Sequence, residues 1–596
     1  MKPIDPKAKV FLIYPALESY AYKIQVQDRE SLALGYLIAA LEHKNVPVNA
    51  VNAELLEVSN DQVIEMMAAC QDTILVGISA GSEKAFPHIE VMAQKIKATL
   101  PNAHITIGGI FATSAHEDIL NQSIAIDSVS MGEGERVIHA LYEGLLNGAP
   151  LDTIAGIKFR ADDGTIQGKD APRIKDLDDL PFPSRVDLEY MLENGGVRKA
   201  KIATSRGCYA RCTFCSIHEI FGDRLVYRRS PANIVAEIRM LKERFGVTDV
   251  SFMDDLFITP SKRGRQWVMD FCDLIRQEDL GIKFWVETRA DTLDREIMDC
   301  MISAGLDSIF IGIEAGSSGV LEKMQKDVTA EQNRDALVLL RQTSLDPENV
   351  RFGYIMFTPD MSFAELQEQF TWIRDSNHCR VQTLQNRMNI YRGTPEFKRL
   401  FAENKLRMGD LGTLAEYDFD DPQVGEFEHA FRAFHLNCVA EVFDDLHKLQ
   451  RRYIRQKQTS FRQAPKHVRS MFSQLLRNCE QLERQHYIDY FEAGLFGTIE
   501  ERNAIGAKTK ADLPEICTVL TTLDRLLTLE SQDALPAFHK GTSSDWEIAL
   551  DDRIVAFDEH VEIRDIMDHS CRIVPLGGAT FSQTMPQMTH DTSDAA

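Results

Sequence analysis

The sequence lacks any run near the roughly 20 consecutive apolar residues that a bilayer-spanning helix needs, so no transmembrane segment is expected. Its first residues, MKPIDPKAKVFLIYP, hold too short an apolar stretch, and no small-residue cleavage site, for a secretory signal. A cytoplasmic location is the expectation. Positive charge is scarce as well: 66 Lys and Arg face 90 Asp and Glu, a formal net charge of −24. A surface of that sign does not suit a phosphate backbone, so no nucleic-acid partner is expected. A disulfide framework is also missing, because the eleven cysteines are odd in number and eight of them are scattered singly. No internal repeat is seen.

What is present is ordinary for a folded chain, with 44% apolar and 26% charged residues. At 596 residues it exceeds what one core usually organises, which predicts two or three domains. Residues 1–150 alternate strands and helices: KVFLIYP (9–15), a helix from Leu32 to Leu41, VPVNAVNA (46–53), TILVGISA (73–80), a helix from Ile89 to Leu100, and HITIGGI (104–110). That alternation predicts a doubly wound, Rossmann-like α/β sheet. Ligands of such sheets bind outside the carboxyl ends of the strands, here at Pro15–Ala16, Ser79–Ala80–Gly81 and Gly108–Gly109. Residues 151–190, rich in Asp, Gly and Pro, read as a linker.

A second alternation follows in residues 191–400. Six segments read as strands: 201–207, 247–255, 283–291, 308–317, 350–357 and 380–390. They fit a partial (β/α)6 barrel whose reactive groups gather at the strands' carboxyl ends. Residues 401–575 read as mainly helical, with Phe427, Phe431, Phe434, Cys438, Val442, Leu446 and Leu449 as a packing stripe. Residues 576–596 lack periodicity and read as a disordered tail.

The densest chemical signal is TSRGCYARCTFCSIHEIFG, in which Cys208, Cys212 and Cys215 form CxxxCxxC just after the first barrel strand. Three thiolates on one loop can each take one iron of a cubane and leave the fourth iron open to a small chelating molecule. Zinc held by the three cysteines and His218 is the alternative, although zinc sites more often pair two CxxC units and no second pair exists here.

This cluster, with an aromatic residue before its third cysteine, resembles the signature of the radical S-adenosylmethionine (SAM) superfamily. YRRSPANIVAEI (227–238), FMDDLF (252–257), ETRAD (287–291), GIEAGSSGVLEKMQKDVT (312–329) and YRGTP (391–395) follow in the order of radical SAM enzymes with an N-terminal cobalamin-binding domain. The resemblance spans residues 8 to 400. It implies a [4Fe–4S] cluster on the three cysteines, SAM on the open iron, and a 5′-deoxyadenosyl radical that abstracts hydrogen from the substrate. It places Asp254 and Asp255 at the SAM amine, Arg289 at its carboxylate, and Glu314 at the ribose or methionyl group. Cobalamin in the N-terminal domain is implied by GGIFAT (108–113), GEGE (132–135) and DLDDLPFPSR, with Ser79, Gly108 and Gly109 as its neighbours. The cobalt-ligating D-x-H-x-x-G loop of classical cobalamin carriers is absent, as it is in many radical SAM relatives, and the Gly-x-Pro-Gly-Glu type of turn that family members often carry after the fifth strand reads FTPDMSFAEL here.

The activity this implies is cobalamin-dependent methylation of an unactivated carbon or phosphorus. The substrate would be a small molecule, a carrier-bound intermediate or a peptide, and the electron donor a flavodoxin or ferredoxin. Radical cyclisation, ring rearrangement or oxidation with the same cofactors is the second reading, and a non-catalytic cobalamin-binding regulator the third. The C-terminal helices are the expected closure over the substrate, and YRGTP either turns Tyr391 and Arg392 toward it or is only a turn.

Overall fold

The structure is a computed structural model that describes residues 3–17, 29–376, 378–457 and 466–531, with short strands at Glu547–Leu550, Arg553–Ala556 and Cys571–Val574. The expected tail at 576–596 lies outside the described residues. The chain divides into two compact units, one of Met1–His378 with Asn386–Val424, the other of Cys379–Gln385 with Gly425–Ala596.

The first unit holds two large sheets, of seven and five strands. In the N-terminal sheet, β1 (Val10–Tyr14), β2 (Val48–Asn52), β3 (Leu75–Ser79), β4 (His104–Gly108) and β5 (Ser128–Ser130) run parallel in the order β2-β1-β3-β4-β5. The expected doubly wound sheet is therefore present. Its strands are almost continuously buried because helices cover both faces, as parallel pairing requires. Phe11, Ile13, Val76, Ile78, Ile105 and Ile107 pack one side, and Val10, Leu12 and Leu75 the other.

Residues 151–190 differ from the expected linker. β6 (Ile157–Arg160) and β7 (Ile166–Lys169) extend the same sheet antiparallel from β5. Ile157 and Phe159 alternate inward along β6. The Asp and Gly content that suggested a linker belongs to the hairpin turn at Asp162–Asp163–Gly164, where Gly164 has φ +83°.

The second sheet comprises β8 (Lys199–Ile202), β11 (Asp249–Phe252), β12 (Lys283–Arg289), β13 (Leu306–Glu314) and β14 (Val350–Tyr354), all parallel, in sequence order across the sheet. Two short strands, β9 (Ser205–Arg206) and β10 (Tyr227–Arg228), pair beside it. The sixth barrel position is a single parallel bridge, Phe357 to Arg387, rather than a strand over 380–390. Residues Val381–Gln385 are helical instead. The apolar residues that suggested a strand, Val381 and Leu384, are both buried and lie three apart, a spacing one helix turn accommodates.

In the second unit, helices Pro422–Phe434, Ala440–Lys457, Lys466–Phe496 and Ile499–Ser531 bear out the helical expectation. The stripe residues Phe427, Phe431, Phe434, Leu446 and Leu449 are buried. Phe431 meets Phe491 at 4.5 Å and Phe434 stacks on Tyr490 at 4.0 Å between ring centroids. A π-helical turn at His435–Val439 interrupts the stripe.

A buried charge network joins the two sheets of the first unit. Arg185, in the connecting segment, pairs with Glu30 and with Glu237, each at 2.6 Å, and donates to the Lys201 carbonyl. Glu237 also binds Arg229 at 2.5 Å, and Glu30 accepts from the Lys201 backbone N–H. Removing one member strands the other charges away from water. Arg185→Ala is expected to cost about 3–5 kcal/mol, read as a lower urea midpoint; an unchanged midpoint would show that the network adds no stability.

Candidate cofactor site

The cysteine loop begins where β8 ends, and carboxylates that accept from its backbone N–H groups shape it. Asp254, just past β11 and buried, accepts from the Thr204 N–H at 2.7 Å, the Ser205 N–H at 2.8 Å and the Thr204 hydroxyl. Asp255 accepts from the Gly207 N–H at 2.9 Å. Gly207 has φ +94°, and a Cβ there would sit 2.3 Å from the Leu225 carbonyl, so only glycine fits before Cys208. Further along, the Thr213 N–H donates to the Met324 carbonyl, and the Thr213 carbonyl accepts from the Glu396 N–H, both at 2.9 Å.

Cys208, Cys212 and Cys215 are all free thiols, and each is close enough to the others to feel its charge. Burial pushes all three thiols up, Cys215 to about 12, so a metal must displace their protons to bind. Among the described residues no three His, Cys, Asp or Glu side chains converge on a single metal ion. A cubane does not ask for that, because each cysteine takes a separate iron. The donor set, three adjacent unpaired thiols on a loop fixed by its backbone, fits such a cluster. His218, the fourth ligand of the zinc alternative, has its Nδ1 buried without a hydrogen-bond partner.

The barrel's strand ends surround the loop. Arg289, at the end of β12, directs Nη1 to 3.9 Å from Cys212 Sγ. Its Nε and Nη2 bind Asp291, and Nη2 also donates to the Lys326 carbonyl at 2.6 Å. Glu314, at the end of β13, has φ +63° and pairs with Lys326 Nζ at 3.0 Å. Gly312 admits this pair: a Cβ there would come within 2.8 Å of both side chains. Arg289, Glu314 and the cysteines are thus brought together, and Asp255 lies near Cys208 and Cys215. Asp254 is turned instead to the loop's backbone.

Several neighbours were not singled out from the sequence. Lys326 is buried beside Cys212 within the quoted GIEAGSSGVLEKMQKDVT segment, and only a long motif marks it out from surface lysines. Tyr209 donates to Asp291 at 3.3 Å. Glu287 lies two residues before Arg289 and is half-buried near Glu314, Asp255 and Lys326. Burial, then the two nearby carboxylates, push Glu287 up to about 7.

The N-terminal sheet turns its carboxyl ends to this loop. Ser79 and Gly108 are register partners at the ends of β3 and β4. Gly109, at φ +114°, comes so near Ala80 that a Cβ would lie 3.0 Å from its carbonyl oxygen, whereas a Cβ on Gly81 would meet nothing within 4 Å. Open backbone at adjacent strand ends is a surface that a flat ligand can approach. After β5, Gly132 faces the Ile220 carbonyl on the helix Ile217–Phe221 that leaves the cysteine loop. Glu133 and Glu135 of GEGE grip Arg206 at 3.0 and 2.5 Å, and Glu133 also binds Arg173 at 3.2 Å. Arg392 of YRGTP pairs with Glu83 at 2.6 Å and Asp118 at 3.0 Å. Both motifs therefore clamp the two domains together.

The Radical SAM superfamily profile matches residues 202–372, and the B12 binding domain profile matches residues 26–142. The chain therefore combines a B12 binding domain with a radical SAM domain. An uncharacterised methyltransferase of Pyrococcus horikoshii is 27% identical over 60% of this chain and 76% of its own length. An anaerobic magnesium-protoporphyrin IX monomethyl ester cyclase of Synechocystis is 30% identical over 56% of this chain and 65% of itself. Cytidylyl-2-hydroxyethylphosphonate methyltransferase of Streptomyces wedmorensis is 25% identical over 61% and 72%. Among solved structures, the cobalamin-dependent radical SAM enzyme OxsB aligns with a TM-score of 0.68 at 19% identity, over 90% of this chain and 82% of OxsB. The methyltransferase TsrM of Kitasatospora setae aligns at 0.55 and 17% identity, over 68% and 80%. These two establish the fold. Among the described residues, no helix is long and apolar enough to cross a membrane.

Two expectations follow from the geometry. Asp254→Ala leaves the Thr204 and Ser205 N–H groups without an acceptor, at about 1–3 kcal/mol each, and is expected to lower the iron retained per chain after anaerobic reconstitution. Glu287 has a folded pKa above its ordinary value near 4.3. The stability it contributes is full below that value and lost as pH rises through about 7. Glu287→Gln is therefore expected to flatten the dependence of Tm on pH between about 5 and 8, and an unchanged slope would contradict the assignment.

Proposed function

We propose that this chain carries out cobalamin-dependent radical methylation of an unactivated carbon or phosphorus in a biosynthetic intermediate. The observation that carries the reading is that the helix Ile110–Ser114, which follows the Gly108–Gly109 strand end of the B12-binding domain, packs on the helix Ile217–Phe221 that leaves the cysteine loop. When bound, the cluster supplies the electron that cleaves SAM to methionine and a 5′-deoxyadenosyl radical, and cobalamin supplies the methyl group.

The protein's contribution is positioning and exclusion of water. Cys208, Cys212 and Cys215 would hold the [4Fe–4S] cluster, with Asp254 and Asp255 keeping the loop in shape. Asp255 has Oδ1 free of the Gly207 contact and is the better placed of the two acids for the SAM amine. Arg289 Nη1 faces the cluster side, suited to the SAM carboxylate, while Asp291 fixes the plane of its guanidinium. Glu314, held by Lys326, presents its remaining oxygen toward Gly353, suited to a ribose hydroxyl. Ser79, Gly108 and Gly109 are the proposed edge for cobalamin.

A second reading keeps the cofactors and ends in ring closure. It is favoured by the identity to the Synechocystis cyclase. The substrate, a small molecule, carrier-bound intermediate or peptide, and a flavodoxin or ferredoxin as reductant complete the proposal.

The test is anaerobic reconstitution with iron, sulfide and hydroxocobalamin, followed by SAM and a strong reductant. 5′-Deoxyadenosine together with cobalamin-dependent S-adenosylhomocysteine is expected, and both should vanish in the Cys208→Ala/Cys212→Ala/Cys215→Ala variant. Deoxyadenosine without S-adenosylhomocysteine would favour ring closure. Neither product above the variant's background would overturn the enzyme reading.

A further inference from the structure

Two thiols outside the cysteine loop meet on the outer wall of the barrel domain. Cys272 lies on the helix Lys262–Gln277 and Cys300 on the helix Arg295–Ser303, and these helices pack against each other. Cys272 is fully buried, Cys300 is half-buried, and both are free. The two sulfurs lie close enough that each shifts the titration of the other.

Arg276, one turn beyond Cys272, completes the group. Its Nη1 is 3.8 Å from Cys300 Sγ, 3.2 Å from the Cys300 carbonyl and 2.7 Å from Ser303 Oγ. The Cys300 carbonyl and Ser303 hydroxyl therefore hold this nitrogen against the sulfur. A hydrogen-bond donor and a cation at the same sulfur favour its thiolate. Asp273 opposes them and is itself paired with Arg276. The balance lowers Cys300 to about 6, while the neighbouring Cys300 and burial push Cys272 up. One thiol is thus activated and half-exposed, and the other is protonated and enclosed beside it. Nothing in the proposed reaction uses either.

We propose that Cys300 and Cys272 form a reversible oxidation site for hydroperoxides, with Cys300 as the attacking thiolate and Cys272 as the resolving thiol. The Cys300 sulfur attacks one peroxide oxygen, the O–O bond breaks, and hydroxide leaves, giving a sulfenic acid on Cys300. Cys272 then loses its proton, and its sulfur displaces hydroxide from the sulfenic sulfur to form the Cys272–Cys300 disulfide. For hydrogen peroxide the sum is two thiols and one peroxide giving one disulfide and two waters. A small thiol such as glutathione returns the pair by exchange, itself being oxidised. The bridge ties the helices that precede and follow β12, the strand ending in Arg289.

The test uses the reconstituted full-length protein treated anaerobically with limiting hydrogen peroxide, then alkylated and mapped by peptide mass spectrometry. The expected product is a disulfide joining peptide 266–276 to peptide 296–323 in the wild-type chain, reversed by glutathione. In Cys272→Ser, Cys300 is expected to remain sulfenic and be trapped by dimedone. In Cys300→Ser, Cys272 is expected to stay reduced. Before oxidation, iodoacetamide at pH 6.5 should label Cys300 roughly tenfold faster than an ordinary thiol of pKa near 8.5. Absence of the linked peptide while other thiols of the chain oxidise, or labelling of Cys300 no faster than an ordinary thiol, would overturn the proposal.

Discussion

Desolvated arginine–carboxylate contacts hold the N-terminal domain against the barrel, and everything proposed for the cofactors depends on them. Arg185 ties Glu30 of one domain to Glu237 of the other, and Arg206 leaves the cysteine loop to meet Glu133 and Glu135. Buried ion pairs add little net stability compared with apolar packing, but they are intolerant of displacement, because a separated partner is left charged and dry. That intolerance suits an enzyme whose two cofactors must meet in one alignment. A greasy interface could slide, whereas one in which each guanidinium bridges two carboxylates has a single register.

The same economy of water shapes the cysteine loop. Its thiols lie where burial favours the protonated form, and its backbone is fastened by acids whose own burial is unfavourable, Asp254 rising to about 6. Such a loop is arranged around what it is to hold. Arg289 and Lys326 bring positive charge to Cys212, and Asp291 and Glu314 partly offset it. The result is a pocket of alternating fixed charges, which suits a zwitterionic ligand better than a simple cation or anion.

Much of this was legible in the sequence, for identifiable reasons. The strands β1, β3, β4, β12 and β13 are short segments rich in apolar and β-branched residues that alternate with helical periods, a signal local enough to read directly. CxxxCxxC marks three thiolates on one loop by spacing, and the family resemblance adds the cluster they imply. What escaped was whatever depended on distant residues. β6 and β7 were masked by the turn chemistry between them, and the sixth strand dissolved into a helix because its apolar residues suit either period. Asp254 and Asp255 looked alike as neighbours, yet only the fold shows Asp254 turned to the loop's backbone. GEGE drew attention through its glycines, while its glutamates make the contacts to Arg206. Lys326 and Glu287 become exceptional only once burial is known.

The central claim, that the cysteine loop and the open edge of the B12-binding domain face each other across this clamp, has a direct physical test. Electron paramagnetic resonance of the chain carrying both a reduced [4Fe–4S] cluster and cob(II)alamin reads whether the two spins sense one another. The account predicts dipolar broadening of the cobalt signal that appears on cluster reduction and is absent from the triple cysteine variant. A cobalt spectrum identical with and without the reduced cluster would place the two cofactors apart and contradict it.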